Sequence, residues 1–116
     1  SVTVTDVVNG DTVDIDLNNI SNNNGDGVEI QNNSGTIDID AKNVTGEKNN
    51  GVEIQSNSGN IDIAANSVTG EAGDGIHIDS NGNTANTATI TFDVGDVSGT
   101  SDGIDINNNA GTVNIS

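Results

Sequence analysis

One motif is written four times in this chain: Gly27-Val28-Glu29-Ile30, Gly51-Val52-Glu53-Ile54, Gly75-Ile76-His77-Ile78 and Gly103-Ile104-Asp105-Ile106, at spacings of 24, 24 and 28 residues. A second motif keeps the same interval. Its copies are Val13-Asp14-Ile15-Asp16-Leu17, Ile37-Asp38-Ile39-Asp40-Ala41, Ile61-Asp62-Ile63-Ala64-Ala65 and Ile90-Thr91-Phe92-Asp93-Val94, with Val113-Asn114-Ile115 as a shorter fifth. Three residues beyond each full copy stands a lone apolar residue: Ile20, Val44, Val68 or Val97. Self-similarity at this period marks a solenoid, in which no unit buries its apolar side alone and neighbours stack to make a core. Within each motif the apolar residues recur at every second position and are mostly β-branched, while the i, i+3, i+4 spacing of a helix is missing. Each unit therefore reads as two short strands and a third minimal one.

Clusters of Gly, Asn, Ser and Asp separate the strands, as in Asn32-Asn33-Ser34-Gly35 and Gly46-Glu47-Lys48-Asn49-Asn50. Such residues supply the positive-φ and Asx-turn conformations of corners. The expected fold is all-β, a parallel β-helix of four to five coils over residues 1–116 as one domain, paced by Gly27, Gly51, Gly75 and Gly103. Parallel crossovers are nearly always right-handed, so the helix is expected to be right-handed too. The fourth coil departs from the period. Ile78 and Ile90 are 12 apart where Ile30 and Ile37 are 7 apart, which places a five-residue loop insertion within 81–86; one residue is lost again before Gly103.

Val, Ile, Leu and Phe make up 28 of the 116 residues, a share that on its own borders on disorder. The periodicity overrules it, because a thin solenoid needs only one apolar row per strand. Two basic residues against eighteen acidic ones give a net charge of −16. That excludes the phosphate-neutralising surface of a nucleic-acid binder, and anionic membranes likewise. No apolar run approaches the ~18 residues of a membrane-spanning helix, so membrane insertion is not expected. The missing initiator Met suggests a processed or excised piece. The lack of Cys, Met, Trp and Tyr suggests an exported, extracellular or cell-surface protein.

The Gly-Asp-Gly-Val/Ile-x-Ile units, alternating with Thr-Ile-Asp-Ile and Val-Thr-Gly in a setting of Asn, Gly, Ser and Thr, resemble the passenger domains of bacterial autotransporter adhesins and related surface β-helix proteins. The resemblance covers the whole chain. It implies a non-enzymatic structural module, an acidic rod in an adhesin stalk or a fibre, with a host or matrix molecule as ligand. A thinner likeness points to an alternative. Ser101-Asp102-Gly103-Ile104-Asp105 is similar to the Asn-Thr-Asp-Gly segment of polygalacturonases, which would make the chain a fragment of a carbohydrate-active β-helix enzyme, polygalacturonase-like or tailspike-like. That family's Gly-Asp-Asp, Gly-His-Gly and Arg-Ile-Lys segments have no counterpart here, so no catalytic residue carries over.

Placing the coils in register stacks Thr3, Glu29, Glu53, His77 and Asp105 outward from the first strand. Asp14, Asp38, Asp62, Thr91 and Asn114 stack outward from the second, beside a row of Asp16, Asp40, Ala64, Asp93 and Ser116. Asp14, Asp16, Asp38, Asp40 and Asp62 then form a carboxylate grid at about 4.8 Å between coils. Like charges at that distance repel by roughly 0.8 kcal/mol each in water. Calcium, a hard ion with flexible oxygen coordination, is the cation such a grid would take; a solvated acidic face is the plainer reading, and no cofactor is required. His77 reads as a surface partner in a weak ion pair. Asp26, Asn50, Asp74 and Asp102 occupy one position before each pacing glycine, and their interchange points to a turn role, with the side chain bonding its own backbone two residues on.

Both ends stop in mid-pattern. Val2, Val4, Val13, Ile15 and Ile20 would make one open rung, and Val97, Ile104, Ile106, Val113 and Ile115 another. Bare strand edges and apolar core in matching order invite pairing. The expected partner is self, by head-to-tail stacking, or the neighbouring coils of a longer parent chain.

Overall fold

The computed structural model describes residues 1–82 and 88–116. It contains two kinds of strand in alternation. Short ones carry the Gly-Val-x-Ile motif: β1 (Val2–Thr5), β3 (Val28–Gln31), β5 (Val52–Gln55), β7 (Ile76–Asp79) and β9 (Ile104–Asn107). The others carry the second motif: β2 (Thr12–Asn22), β4 (Thr36–Gly46), β6 (Ile61–Gly70), β8 (Thr89–Gly99) and β10 (Thr112–Ile115). Each kind stacks only with itself, as a five-stranded sheet ordered β1-β3-β5-β7-β9 and another ordered β10-β8-β6-β4-β2. Every pairing is parallel, and the described residues hold no helix. The chain is a β-solenoid of about five turns.

The sequence repeat sets the register. Val28 pairs with Val52, Val52 with Ile76 and Ile76 with Ile104, so like residues stack on like from coil to coil. The second and third expected strands lie on one continuous element. Along β4 and its neighbours the ladder lacks a pair only at Asn18, Lys42, Asn66 and Gly95. The buried parity changes there: Ile37 and Ile39 point inward, Lys42 and Asn43 are exposed, and Val44 is buried again. That shift is how the lone apolar residues Ile20, Val44 and Val68 reach the core. Val97, expected there too, is only half-buried, because β10 pairs with β8 over Thr89–Phe92 and does not reach as far as Val97.

Alternate residues of both sheets meet in one core, centred on Ile30, Ile37, Ile39, Ile54, Ile61, Ile63, Ile76, Ile78, Ile90 and Phe92, each at most 1 % exposed. The pacing glycines let adjacent coils close over it. A Cβ on Gly51 would lie 2.7 Å from the carbonyl oxygen of Gly75 and 2.7 Å from a Val68 methyl. The period change is absorbed without loss of register. Ile54 and Ile78 pair at an offset of 24, Ile61 and Ile90 at 29, and Ile76 and Ile104 at 28. Of the expected insertion, Asn81 and Gly82 keep their place in the stack, while 83–86 lie outside the described residues.

Two ladders of side-chain hydrogen bonds close the corners on either side of the short strands. After each short strand, one residue takes a left-handed conformation: Asp6, Asn32, Ser56, Ser80 and Asn108 have φ between 50° and 60°. The next residue in four coils is Asn33, Asn57, Asn81 or Asn109. The Oδ1 of Asn57 accepts from the backbone N–H of Asn33 and from its Nδ2, both at 3.0 Å. Its own Nδ2 donates to the Ile30 carbonyl at 2.9 Å, the Gln55 carbonyl at 3.1 Å and Asn81 Oδ1 at 3.0 Å. Asn81 repeats the pattern with Asn109, and Val7 N–H begins it by donating to Asn33 Oδ1 at 2.8 Å. Among the described residues, no buried side-chain polar atom is left without a partner.

Before each short strand runs the second ladder, of Asp26, Asn50, Asp74 and Asp102. Asp26 Oδ1 accepts from Asn50 N–H at 2.8 Å, Asn50 Oδ1 from Asp74 N–H at 2.8 Å, and Asp74 Oδ1 from Asp102 N–H at 3.0 Å. The expected turn role is therefore met differently. The oxygen bonds the backbone of the next coil, not its own backbone two residues on.

Candidate functional site

Among the described residues, Asp74, His77 and Asp105 bring three ionisable side chains together. Their positions follow from the stacking just described. The outward row of the short-strand sheet runs Thr3, Glu29, Glu53, His77, Asp105 in direct register. Asp74 reaches the same place from the corner. Its Oδ1 is fixed by Asp102 N–H, which turns Oδ2 toward the imidazole. His77 Nδ1 lies 3.1 Å from Asp74 Oδ2 and 3.2 Å from Asp105 Oδ2, with side chains 24 %, 12 % and 31 % exposed respectively for His77, Asp74 and Asp105. Among the described residues these are the ion pairs present, and neither Lys42 nor Lys48 takes part in one. One ligand atom from each of the three residues falls within 4.8 Å of the others. The repeat interval places His77 on the outward row between Glu53 and Asp105; Asp105 pairs with it, and so does Asp74, which that row does not contain.

Next to this group stands Glu53, whose carboxyl titrates above its ordinary value of 4.5. Burial is the main cause, followed by the charge and hydrogen bond of Asp26 and the charge of Glu29, with His77 acting against them. On the other side Asp79 is held below 3.8, chiefly by the Ser80 hydroxyl at 2.9 Å and with help from the Asn108 amide at 3.2 Å.

The carboxylate grid is laid out as expected: Asp14 pairs with Asp38 and Asp38 with Asp62, beside Asp16 with Asp40. All five side chains are exposed. Asp38, at the centre, titrates above 3.8, through burial first and then the charges of Asp40, Asp62 and Asp14. The grid carboxylates do not converge on a common point as the His77 group does. Ala64 interrupts the outer row between Asp40 and Asp93, and an open hollow of about 500 Å³ results, floored by Ala65, Val94 and Gly95. A second hollow of about 310 Å³ lies between Asp38, Asp62, Thr89 and Thr91. Neither is lined by Lys, Arg or His.

The two end rungs differ. Ile104 and Ile106 are 39 % and 45 % exposed, with Val97, Val113 and Ile115 half-buried beside them. At the other end Val4 and Ile20 are buried at 7 % and 3 %, and Val2, Val13 and Ile15 are half-buried. Val7 packs against this end of the core from a first corner two residues longer than the next, since Val4 to Val13 spans 9 positions and Ile30 to Ile37 spans 7.

No protein-family profile, curated protein or solved structure matches this chain. The residues that sequence reasoning missed are the ladder asparagines. They had a signal: Asn33, Asn57, Asn81 and Asn109 each fall six residues after a pacing glycine.

Proposed function

We propose that this chain is a non-enzymatic, extracellular structural module: a segment of a right-handed, three-sided parallel β-helix serving as an adhesin stalk or a head-to-tail fibre subunit. The observation that carries this reading is the unslipped parallel register over five coils, continued to an end rung where Ile104 and Ile106 stand open. Handedness follows from the general preference of parallel crossovers, and the three sides from the parity shift at Lys42 and its equivalents. A single chain measures 35 × 27 × 25 Å, nearly as broad as long. Rod-like reach therefore comes from repetition, and a net charge of −16 keeps such a surface soluble.

Sedimentation and electron microscopy over a range of concentrations test the assembly. Copies should elongate along the coil axis, and Ile104→Lys with Ile106→Lys should abolish elongation while preserving the β-sheet circular dichroism. A chain that stays monomeric at high concentration overturns the fibre reading. Cations condensed on Asp14, Asp16, Asp38, Asp40 and Asp62 belong to the same proposal. Millimolar calcium should then raise Tm more than sodium chloride of equal ionic strength. The carbohydrate-active alternative has one feature in its favour, the hollow between Asp40 and Asp93. Cleavage of an acidic polysaccharide that disappears in Asp40→Asn would establish it instead.

A further inference from the structure

We propose that Asp74, His77 and Asp105 bind a divalent first-row transition-metal ion of the zinc type, which fastens β9 to β7. Ions of this class bind imidazole nitrogen and carboxylate oxygen at about 2.0–2.2 Å, which sets ligand atoms roughly 3–3.5 Å apart around the metal. Two of the required separations are already present, at 3.1 and 3.2 Å from His77 Nδ1. The donor set selects the ion. An imidazole suits zinc, nickel or cobalt, whereas calcium and magnesium prefer oxygen alone.

The site is oriented by the fold. Asp74 has one oxygen committed to the Asp102 N–H at 3.0 Å and its own N–H to Asn50 Oδ1 at 2.8 Å, so Oδ2 is aimed without freedom to turn away. Outer hydrogen bonds of this sort orient metal ligands. His77 and Asp105 are direct register partners on neighbouring strands. No other coil repeats the set. The matching positions hold Asp26 with Glu29 and Asn50 with Glu53, which offer no nitrogen ligand of this kind. Binding through Nδ1 requires that nitrogen to be deprotonated, so zinc and a proton compete for the same place between the two carboxylates. The ion would tie Asp74 and His77 of the fourth coil to Asp105 of the fifth, the coil that carries exposed Ile104 and Ile106.

Zinc chloride titrated into the metal-free full chain, against magnesium chloride at equal ionic strength, tests the site by calorimetry and by NMR of the single imidazole. The expected result is one saturable equivalent of zinc, with the ring fixed as the Nε2–H tautomer. Amide exchange in β9 should slow at least tenfold. His77→Gln should weaken the binding at least tenfold, and since Glu occupies the two preceding coils at this position, Gln fits the row. Asp105→Asn should weaken it as well, with circular dichroism confirming that both variants fold. Undiminished zinc binding in His77→Gln would show metal spread over the acidic faces and overturn the proposal. An imidazole unmoved by stoichiometric zinc would overturn it too, leaving the proton as the only cation held there.

Discussion

The two corner ladders flank the same short strands and recur at the same interval, yet one is asparagine at four successive coils and the other mixes aspartate with asparagine. The difference lies in what each side chain is asked to do. Asn57 must accept from Asn33 and donate to Ile30, Gln55 and Asn81 at once, while 1 % exposed. A carboxamide supplies two donor hydrogens and an acceptor oxygen together, where a hydroxyl has a single donor and a carboxylate none. Asn50 and its equivalents accept a single N–H from the next coil, and any side-chain oxygen of that length serves. Chemical demand, more than position in the turn, decides what a repeat can vary.

The comparison breaks most visibly at Asn57. Asn57→Asp would set a buried carboxylate against three acceptor oxygens and remove both donors, at a cost of about 4 kcal/mol or more. Since small domains hold only about 5–15 kcal/mol of stability, chemical denaturation should find this variant largely unfolded. Asn57→Ala loses the same bonds without adding charge, and a cost of about 2–3 kcal/mol is expected from the midpoint shift. In the acceptor ladder, Asn50→Asp keeps the bond to Asp74 N–H but adds a charge beside Asp26 and Glu53. It should cost about 1 kcal/mol near neutral pH, less in acid, where thermal melts would show the gap closing.

Smaller still is the effect of the charge already there. Glu53 holds its proton more tightly in the folded chain than in the unfolded one, because its folded pKa lies above 4.5. Between 4.5 and that raised value the folded state binds more protons, so this group's contribution to stability falls as pH rises through the window and returns as pH falls. Glu53→Gln should flatten that part of the Tm–pH curve. Asp26→Asn preserves the acceptor for Asn50 N–H and removes the charge that, after burial, most raises the Glu53 carboxyl, so it should raise Tm slightly at neutral pH. If Asp26→Asn proved as damaging as Asn57→Ala, the distinction between the ladders would fall.

The stacked rows were legible in the sequence because register in a solenoid is the repeat itself: Glu53 over Glu29 and Asp62 over Asp38 follow from an interval of 24. So were the inward residues, through alternation. The asparagine ladder was hidden by composition, since Asn33 sits among Asn32 and Ser34 and all three are ordinary corner residues. Which of them turns inward depends on the left-handed backbone at Asn32, with φ 58°, a conformation that the sequence offers several residues for. The link from His77 to Asp74 was hidden for another reason. Residues three apart on an extended strand do not face each other; Asp74 lies in the corner, and the bond to Asp102 N–H decides where its second oxygen points. Val97 was misplaced because alternation shows which way a side chain points and not whether another coil covers it.

The asparagine ladder also has a direction. The backbone N–H of Val7, Asn33, Asn57 and Asn81 each donates to the Oδ1 one coil on, while the Nδ2 of Asn33, Asn57 and Asn81 is shared between that oxygen and a carbonyl of the coil before. The row is polar along the axis and does not read the same in reverse. The coil that would receive Asn109, the first, has Val7 in that row and no side-chain oxygen to offer. In a fibre of stacked copies every junction inside a chain would carry the amide bond and every junction between chains would lack it. Under tension such a fibre would part at the joints while its coils stayed wound, a line of mechanical fuses set at one per chain.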